Sequence, residues 1–269
     1  MLGQDINRKD YKLNSTSLEM DKRGQVTLFI IVAVIIVGVA VAVFLTPRIQ
    51  VYFTDVEPNS FLKDCIEQDA REIMNLLAEN AGYDSPPSFV EYQGEKFTYL
   101  CYTSEFYETC TVQQPLIKRN YELELKKQIE PRARACVEEL VEAYESRGYD
   151  VQSTPGELNV SFIPGSLMLD FVSPLTVTKE NRQTFQKFST SINTEMYDLI
   201  FTAQSIVASE AVLGNAETLL YLQYYPDLKI EKILRDGDTI YILENVISED
   251  KFQFATRSLV WPQGYGVEN

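Results

Sequence analysis

Residues 157–172 read Glu-Leu-Asn-Val-Ser-Phe-Ile-Pro-Gly-Ser-Leu-Met-Leu-Asp-Phe-Val, and their pattern decides the fold class. Leu158, Val160 and Phe162 alternate with polar neighbours, Pro164-Gly165 interrupts, and Leu167, Leu169 and Phe171 resume the alternation. Side chains with period two lie on one face of a strand, so this is a half-buried hairpin. A third strand is expected through Phe185, Phe188 and Ile192. Downstream the period changes to helical. Met196, Leu199, Ile200, Ala203, Val207 and Ala211 share one face of a helix that starts from Thr194 as N-cap and stops at Gly214. A shorter helix, capped by Asn215, ends before Pro226. Three antiparallel strands follow at Leu228–Arg235, Thr239–Ile247 and Phe252–Val260, the first two joined by an Asp236-Gly237 turn of the hairpin type.

Upstream, Leu62, Cys65, Ile66, Ala70, Ile73, Leu77 and Ala81 recur at helical spacing from an opening near Ser60 to Gly82. Residues 89–103 form a hairpin about Gln93-Gly94. A second helical stretch from Pro115 carries Ile117, Tyr121, Leu125 and Ile129, and Pro131 should kink or restart it, because proline lacks the helical donor. Cys136, Val137, Leu140, Val141 and Tyr144 continue that face to Gly148. The chain therefore divides into a helical part with an aromatic hairpin at 60–150 and an antiparallel sheet with helices at 151–269. The whole is α+β.

Before these elements, residues 26–45 read VTLFIIVAVIIVGVAVAVFL, without a charge. Twenty residues at about 1.5 Å each match a hydrocarbon core of about 30 Å. The expectation is a single N-terminal transmembrane helix at 25–46, a cytoplasmic tail at 1–24, a stalk at 47–59, and then an ectodomain of a mostly antiparallel sheet packed with several helices. Lys22 and Arg23 precede the apolar run and only Arg48 closely follows it, which puts the N-terminus in the cytoplasm and the C-terminal domain outside a cell membrane. The chain holds 24 Lys+Arg against 39 Asp+Glu, a net charge of −15. Such a surface repels nucleic acid. Histidine is absent, which excludes Ser-His-Asp and Cys-His nucleophiles and histidine-ligated zinc.

Lys22-Arg23-Gly24-Gln25, followed at once by the apolar run, resembles the archaeal class III (prepilin-type) signal. That resemblance implies peptidase cleavage between Gly24 and Gln25 and a pilin-like subunit that self-assembles through its apolar helix. The fifth residue after the cut, glutamate in that family, is Phe29 here. The same start, with Leu62-Lys63-Asp64-Cys65-Ile66 and Ser173-Pro174-Leu175-Thr176-Val177, resembles a group of uncharacterised archaeal membrane-anchored surface proteins. That second resemblance implies no particular activity.

The four cysteines all fall on the expected outer side, an even number where oxidation is permitted. Local closure favours Cys101 with Cys110, leaving Cys65 and Cys136, both on apolar helix faces, to join the two long helices. The 35, 8 and 25 residues between successive cysteines contain no metal knuckle, so neither a metal nor another cofactor is expected. Asn159-Val160-Ser161 is a candidate glycosylation sequon on the outer side, and Asn14-Ser15-Thr16 is one on the inner side.

Few groupings suggest catalysis. Ser60 and Lys63 have the S-x-x-K spacing, yet its companion motifs S-D-N and K-T-G are missing and serine is an ordinary helix cap. A carboxylate-dependent surface hydrolase requires two carboxyl groups about 5–10 Å apart. Glu138, Glu142 and Glu145 share a helical face, which reads as a solvated stripe, while Asp236 and Asp238 suit a turn. No enzyme is expected. The unusual stretch is Phe89–Tyr107, where Phe89, Tyr92, Phe97, Tyr99, Tyr102, Phe106 and Tyr107 make seven aromatics in 19 residues against a chain average of 12%. These rings are a candidate recognition surface for a protein or carbohydrate partner, or they complete the core. The function expected is a binding or assembly module at the cell surface. Intact mass of protein from native membranes separates the two readings: a chain retaining residues 1–24 keeps the permanent tether, and one starting at Gln25 makes the pilin-like alternative the first; no thiol should be alkylatable in either, and four modified thiols would remove the bridges.

Overall fold

A computed structural model describes residues 30–39, 57–154 and 156–262. Residues 30–39 are helical and belong to a unit spanning Met1–Asp55, separate from the compact unit Val56–Asn269. Among the described residues no helix is long and apolar enough to cross a membrane, which corrects the expected transmembrane helix. The three described helices of 18 residues or more, Pro58–Glu79, Ile117–Glu145 and Met196–Leu213, each carry charged residues and bury one face in the core. The tail at 1–24 and the remainder of 25–46 lie outside the described residues, as does the stalk up to residue 56.

The larger unit contains helices α1 (Pro58–Glu79), α2 (Ile117–Glu145), α3 (Met196–Leu213) and α4 (Leu219–Tyr224). Its strands are β1 (Phe89–Tyr92), β2 (Glu95–Tyr102), β3 (Thr111–Val112), β4 (Asp150–Ser153), β5 (Glu157–Ile163), β6 (Ser166–Val172), β7 (Leu175–Thr178), β8 (Arg182–Phe185), β9 (Phe188–Asn193), β10 (Leu228–Arg235), β11 (Asp238–Asn245) and β12 (Lys251–Arg257). They form three sheets among the described residues: β1-β2-β12-β11-β10 with β3 beside β2, then β4-β7-β8, and β5-β6-β9. The fold is α+β, but the largest sheet is mixed, because β12 pairs with β2 in parallel. The other eight strand pairings among the described residues are antiparallel, so the departure from the expected sheet is this one parallel pair. A parallel pair needs a long crossover, and here every element from β3 to β11 lies between the two partners.

The hairpin that opened the sequence reading is present as β5 and β6, with Val160 opposite Leu169. The expected third strand is two. Phe185 ends β8 in one sheet, and Phe188 begins β9 in another. Residues three apart cannot share a face of one strand, so burying both rings requires the change of sheet. Helix α1 starts at Pro58 rather than near Ser60, with the Glu57 carboxylate accepting the Ser60 amide proton at 2.6 Å. Proline at the first helical turn makes this start favourable. Helix α2 runs through Pro131 without restarting. Pro131 is on the exposed side, while Ile129 and Ala133 beside it are fully buried; that packing offsets the lost hydrogen bond.

One continuous core joins the two parts of the unit, running from Leu62 and Ile66 of α1 through Tyr121 and Leu140 of α2 to Leu169, Phe171, Phe252 and Phe254 of the sheets. Helices α1 and α2 pack on each other and are joined by Cys65–Cys136, with Cα atoms 6.0 Å apart. Closing a separation of 71 residues removes denatured-state entropy worth about 4 kcal/mol. Arg132 reinforces the same seam, its Nε 3.1 Å from Asp69 Oδ2 and its Nη1 2.9 Å from Glu139 Oε1.

The start of α3 is built across the fold. Thr194 Oγ1 accepts the Met196 amide proton at 3.2 Å, as a cap would, but it also donates to Asp250 Oδ2 at 2.9 Å. The same carboxylate oxygen accepts from the Glu195 amide at 2.6 Å and from the Ser248 hydroxyl at 2.9 Å. Asp250 therefore ties the β11–β12 loop to the helix. Gly214, left-handed at φ 74°, ends α3. The short α4 is preceded by Thr218 rather than capped by Asn215, whose side chain instead binds Lys232.

Two buried phenols seal the interior: Tyr121 donates to the Met74 carbonyl and Tyr241 to the Glu210 carboxylate. Burial, then the charges of Asp250 and Glu210 respectively, push both hydroxyls well above the ordinary 10.0. A raised folded-state value favours the protonated form, so its stabilisation is complete below about pH 10 and is lost as pH rises toward the folded-state values. The thermal midpoint should fall steadily above pH 10, with phenolate absorbance of these two rings appearing only as the chain unfolds. Their ionisation in the folded protein near pH 10 would contradict this burial.

Candidate functional site

The candidate site grows out of β2, β11 and β12, and begins with the Asp236-Gly237 turn. Asp236 has φ 52° and Gly237 φ 90°, both in the left-handed region that a two-residue hairpin turn requires. A Cβ on Gly237 would sit 2.5 Å from Val260 Cγ1 and 2.9 Å from Arg257 Nη1. Glycine is thus needed both for the turn and for the approach of β12. Beyond the turn, Asp238 Oδ1 lies 3.6 Å from Arg257 Nη1, and Arg257 also donates to the Asp236 carbonyl at 3.2 Å. Both side chains are mostly buried, at 16% and 19% exposure.

The second wall comes from a register shift. In the β2–β12 pair, Ala255 faces Tyr99 but Thr256 faces Cys101, so β2 carries one extra residue there. Such a bulge bends the strand and re-aims its side chains. Tyr99 and Tyr102, three apart, would point to opposite faces of a regular strand; here their rings meet edge-on with centroids 4.9 Å apart. Tyr102 pairs with Arg257 across the strands. Phe89 of β1 completes the wall, with the Lys96 ammonium 4.5 Å from its ring centroid.

Together Ser88, Phe89, Tyr99, Tyr102, Asp238 and Arg257 line a cleft of about 390 Å³. Burial first, and then the Asp238 carboxylate beside it, hold the Tyr99 hydroxyl protonated far above its ordinary range. Asp238 Oδ1 is shielded from solvent and has no hydrogen-bond partner among the described residues. Buried polar atoms are normally paired, and an ion pair at 3.6 Å is looser than a charge-assisted hydrogen bond of about 2.7–2.9 Å. The pair is held in place without being saturated.

The aromatic stretch is divided between the interior and the surface. Phe97 and Tyr99 are buried in a small second cluster with Ile240 and Ala255, against which Val90 and Tyr92 pack. Phe89, Tyr102, Phe106 and Tyr107 are exposed, at 39%, 37%, 48% and 50%. Tyr107 stacks edge-on with Trp261, centroids 5.0 Å apart, and Phe106 bridges to Val260. This loop is laced to the end of β12 by Thr103 N–H to Arg257 O at 3.0 Å, Tyr107 N–H to Val260 O at 2.9 Å and Leu259 N–H to Glu108 O at 2.8 Å. The Cys101–Cys110 bridge closes its base. The exposed rings are therefore carried on an ordered segment.

The other sequence candidates do not assemble. Ser60 has its amide in the Glu57 cap, and Lys63 faces Glu67 at 3.9 Å, so the two form no dyad. Glu138, Glu142 and Glu145 are all exposed. Asn159 is exposed on β5 opposite Asp170, open to modification. Gly24, Gln25 and Asn14 lie outside the described residues. Among the described residues no group of three Cys, Asp or Glu side chains could hold a metal ion. A cavity of about 240 Å³ brings Glu195, Asp198 and Asp227 to its lining, a grouping the sequence reading did not find because Asp227 belongs to a different segment from the other two. Asp238 was legible only as a turn residue, and nothing local marked Arg257 as its neighbour. No family model, no curated protein and no solved structure matches this chain.

Gly237→Ala should cost about 1–3 kcal/mol through strain and the clash with Val260, read as a lower denaturant midpoint with an unchanged slope. A midpoint equal to wild type would show that the turn does not hold Arg257 in place.

Proposed function

We propose that this chain is a binding module that works outside the cytoplasm at the cell surface and recognises its partner through the aromatic cleft and the adjoining loop. The observation that carries this reading is the exposure of Phe89, Tyr102, Phe106, Tyr107 and Trp261, with Tyr102, Phe106 and Tyr107 inside the loop closed by Cys101–Cys110. Large rings fixed in place offer contact area at little entropic cost on binding, which is why such residues dominate recognition surfaces. The two disulfides fit an oxidising location. The net charge of −15 keeps such a module soluble and apart from other anionic surfaces, so apolar and hydrogen-bonding contacts must supply its affinity.

Replacing Tyr102 and Tyr107 together by alanine should leave stability within about 1 kcal/mol of wild type, since both are surface residues. Retention of the purified protein on isolated cell envelopes should fall by more than about tenfold. Unchanged retention would overturn the reading, and a collapse of stability would return these rings to a purely structural role.

A further inference from the structure

Deepening that reading, and resting on it, the chemistry of the cleft narrows the ligand. Its walls are aromatic: Phe89 and Tyr102 are exposed, while Tyr99 backs Tyr102 edge-on. Its floor offers one acceptor and one donor side by side, Asp238 and Arg257, whose charges oppose each other 3.6 Å apart. An anionic ligand would meet the carboxylate, and a cationic ligand the guanidinium. A ligand carrying adjacent hydroxyl groups can donate to one and accept from the other. The volume of about 390 Å³ is at the lower end of the range of about 300–1,000 Å³ for small-molecule sites. That is room for a ring-sized unit rather than a folded segment.

We propose that the cleft binds a single uncharged pyranose unit of a cell-surface glycan, its C–H face against Phe89 and Tyr102 and its neighbouring hydroxyls hydrogen-bonded by Asp238 and Arg257. A pyranose has an apolar C–H face that complements the negative face of an aromatic ring, and a rim of hydroxyls that each donate and accept. Both requirements are met by residues already fixed before the ligand arrives. Arg257 is held by the Asp236 carbonyl, and the Tyr99 ring by its packing against Ile240 and Ala255. Pre-organisation of this kind limits the entropy lost on binding. The Lys96 ammonium over Phe89 leaves that ring one face for the sugar.

The test is calorimetric titration of the full chain with neutral hexasaccharides of glucose, mannose, galactose and N-acetylglucosamine, beside a polyuronate of equal length. At least one neutral saccharide should bind, and the polyuronate should not. Tyr102→Ala and Asp238→Asn should each weaken binding by at least about tenfold, whereas Leu123→Ala, exposed on α2 and outside the recognition surface, should leave it unchanged. Thermal midpoints of all three variants serve as the folding control. If no neutral saccharide binds while Tyr102→Ala/Tyr107→Ala still abolishes envelope retention, the saccharide inference falls and the binding module stands. If retention is also unaffected, both fall. Equal binding of the polyuronate would likewise overturn the selection for an uncharged sugar.

Discussion

The parallel pairing of β2 with β12 is the constraint on which the rest of the unit depends. It joins a strand near the start of the described unit to one near its end, so nearly all intervening elements are enclosed in one loop. Closing so long a loop costs entropy before any contact forms, and non-local parallel pairing slows folding. The pairing endures because its residues are buried on both faces. Leu100 and Cys101 of β2 join the main core, and Tyr99 and Ala255 join the second cluster. The register shift inside this pair is also what turns Tyr99 and Tyr102 toward each other. A single geometric feature therefore closes the fold and shapes the cleft.

Around that junction, the buried polar groups act as cross-links. Asp250 gathers the Thr194 hydroxyl, the Glu195 amide and the Ser248 hydroxyl, so the start of α3 depends on a loop about fifty residues downstream. Glu210, at 2% exposure, is paired with Tyr241 and links α3 to β11. A buried carboxylate is tolerated only with partners of this kind. Asp238 is the contrasting case: mostly buried, facing a guanidinium, and left without a hydrogen bond on Oδ1.

The disulfides divide the same labour. Cys65–Cys136 joins the long helices across 71 positions and limits the unfolded chain, whereas Cys101–Cys110 closes 9 positions and does less for overall stability. The shorter bridge instead fixes the turn between β2 and β3, from which Phe106 and Tyr107 project. Rigidity there serves recognition, because an exposed ring held in one orientation loses little entropy when a partner arrives.

By itself the sequence determined what depends on neighbours in the chain. The period of two at Leu158–Phe171 showed the β5–β6 hairpin, the helical period showed α1, α2 and α3, and Gln93-Gly94 and Asp236-Gly237 marked their turns because left-handed backbone demands such residues. Glu57 as the cap of α1 was missed, since glutamate is a weak cap signal and Pro58 set the start instead. The uncharged run of twenty residues at 26–45 suggested a span that the described helices do not supply. Only the tertiary structure decided the parallel partner of β2, the separation of Phe185 from Phe188 into two sheets, and the division of seven aromatics between core and surface. It also brought Asp238 to Arg257, nineteen positions away on another strand. Local patterns report which face of an element is apolar; which elements meet is set by non-local pairing and packing, and the cleft exists only where those meet.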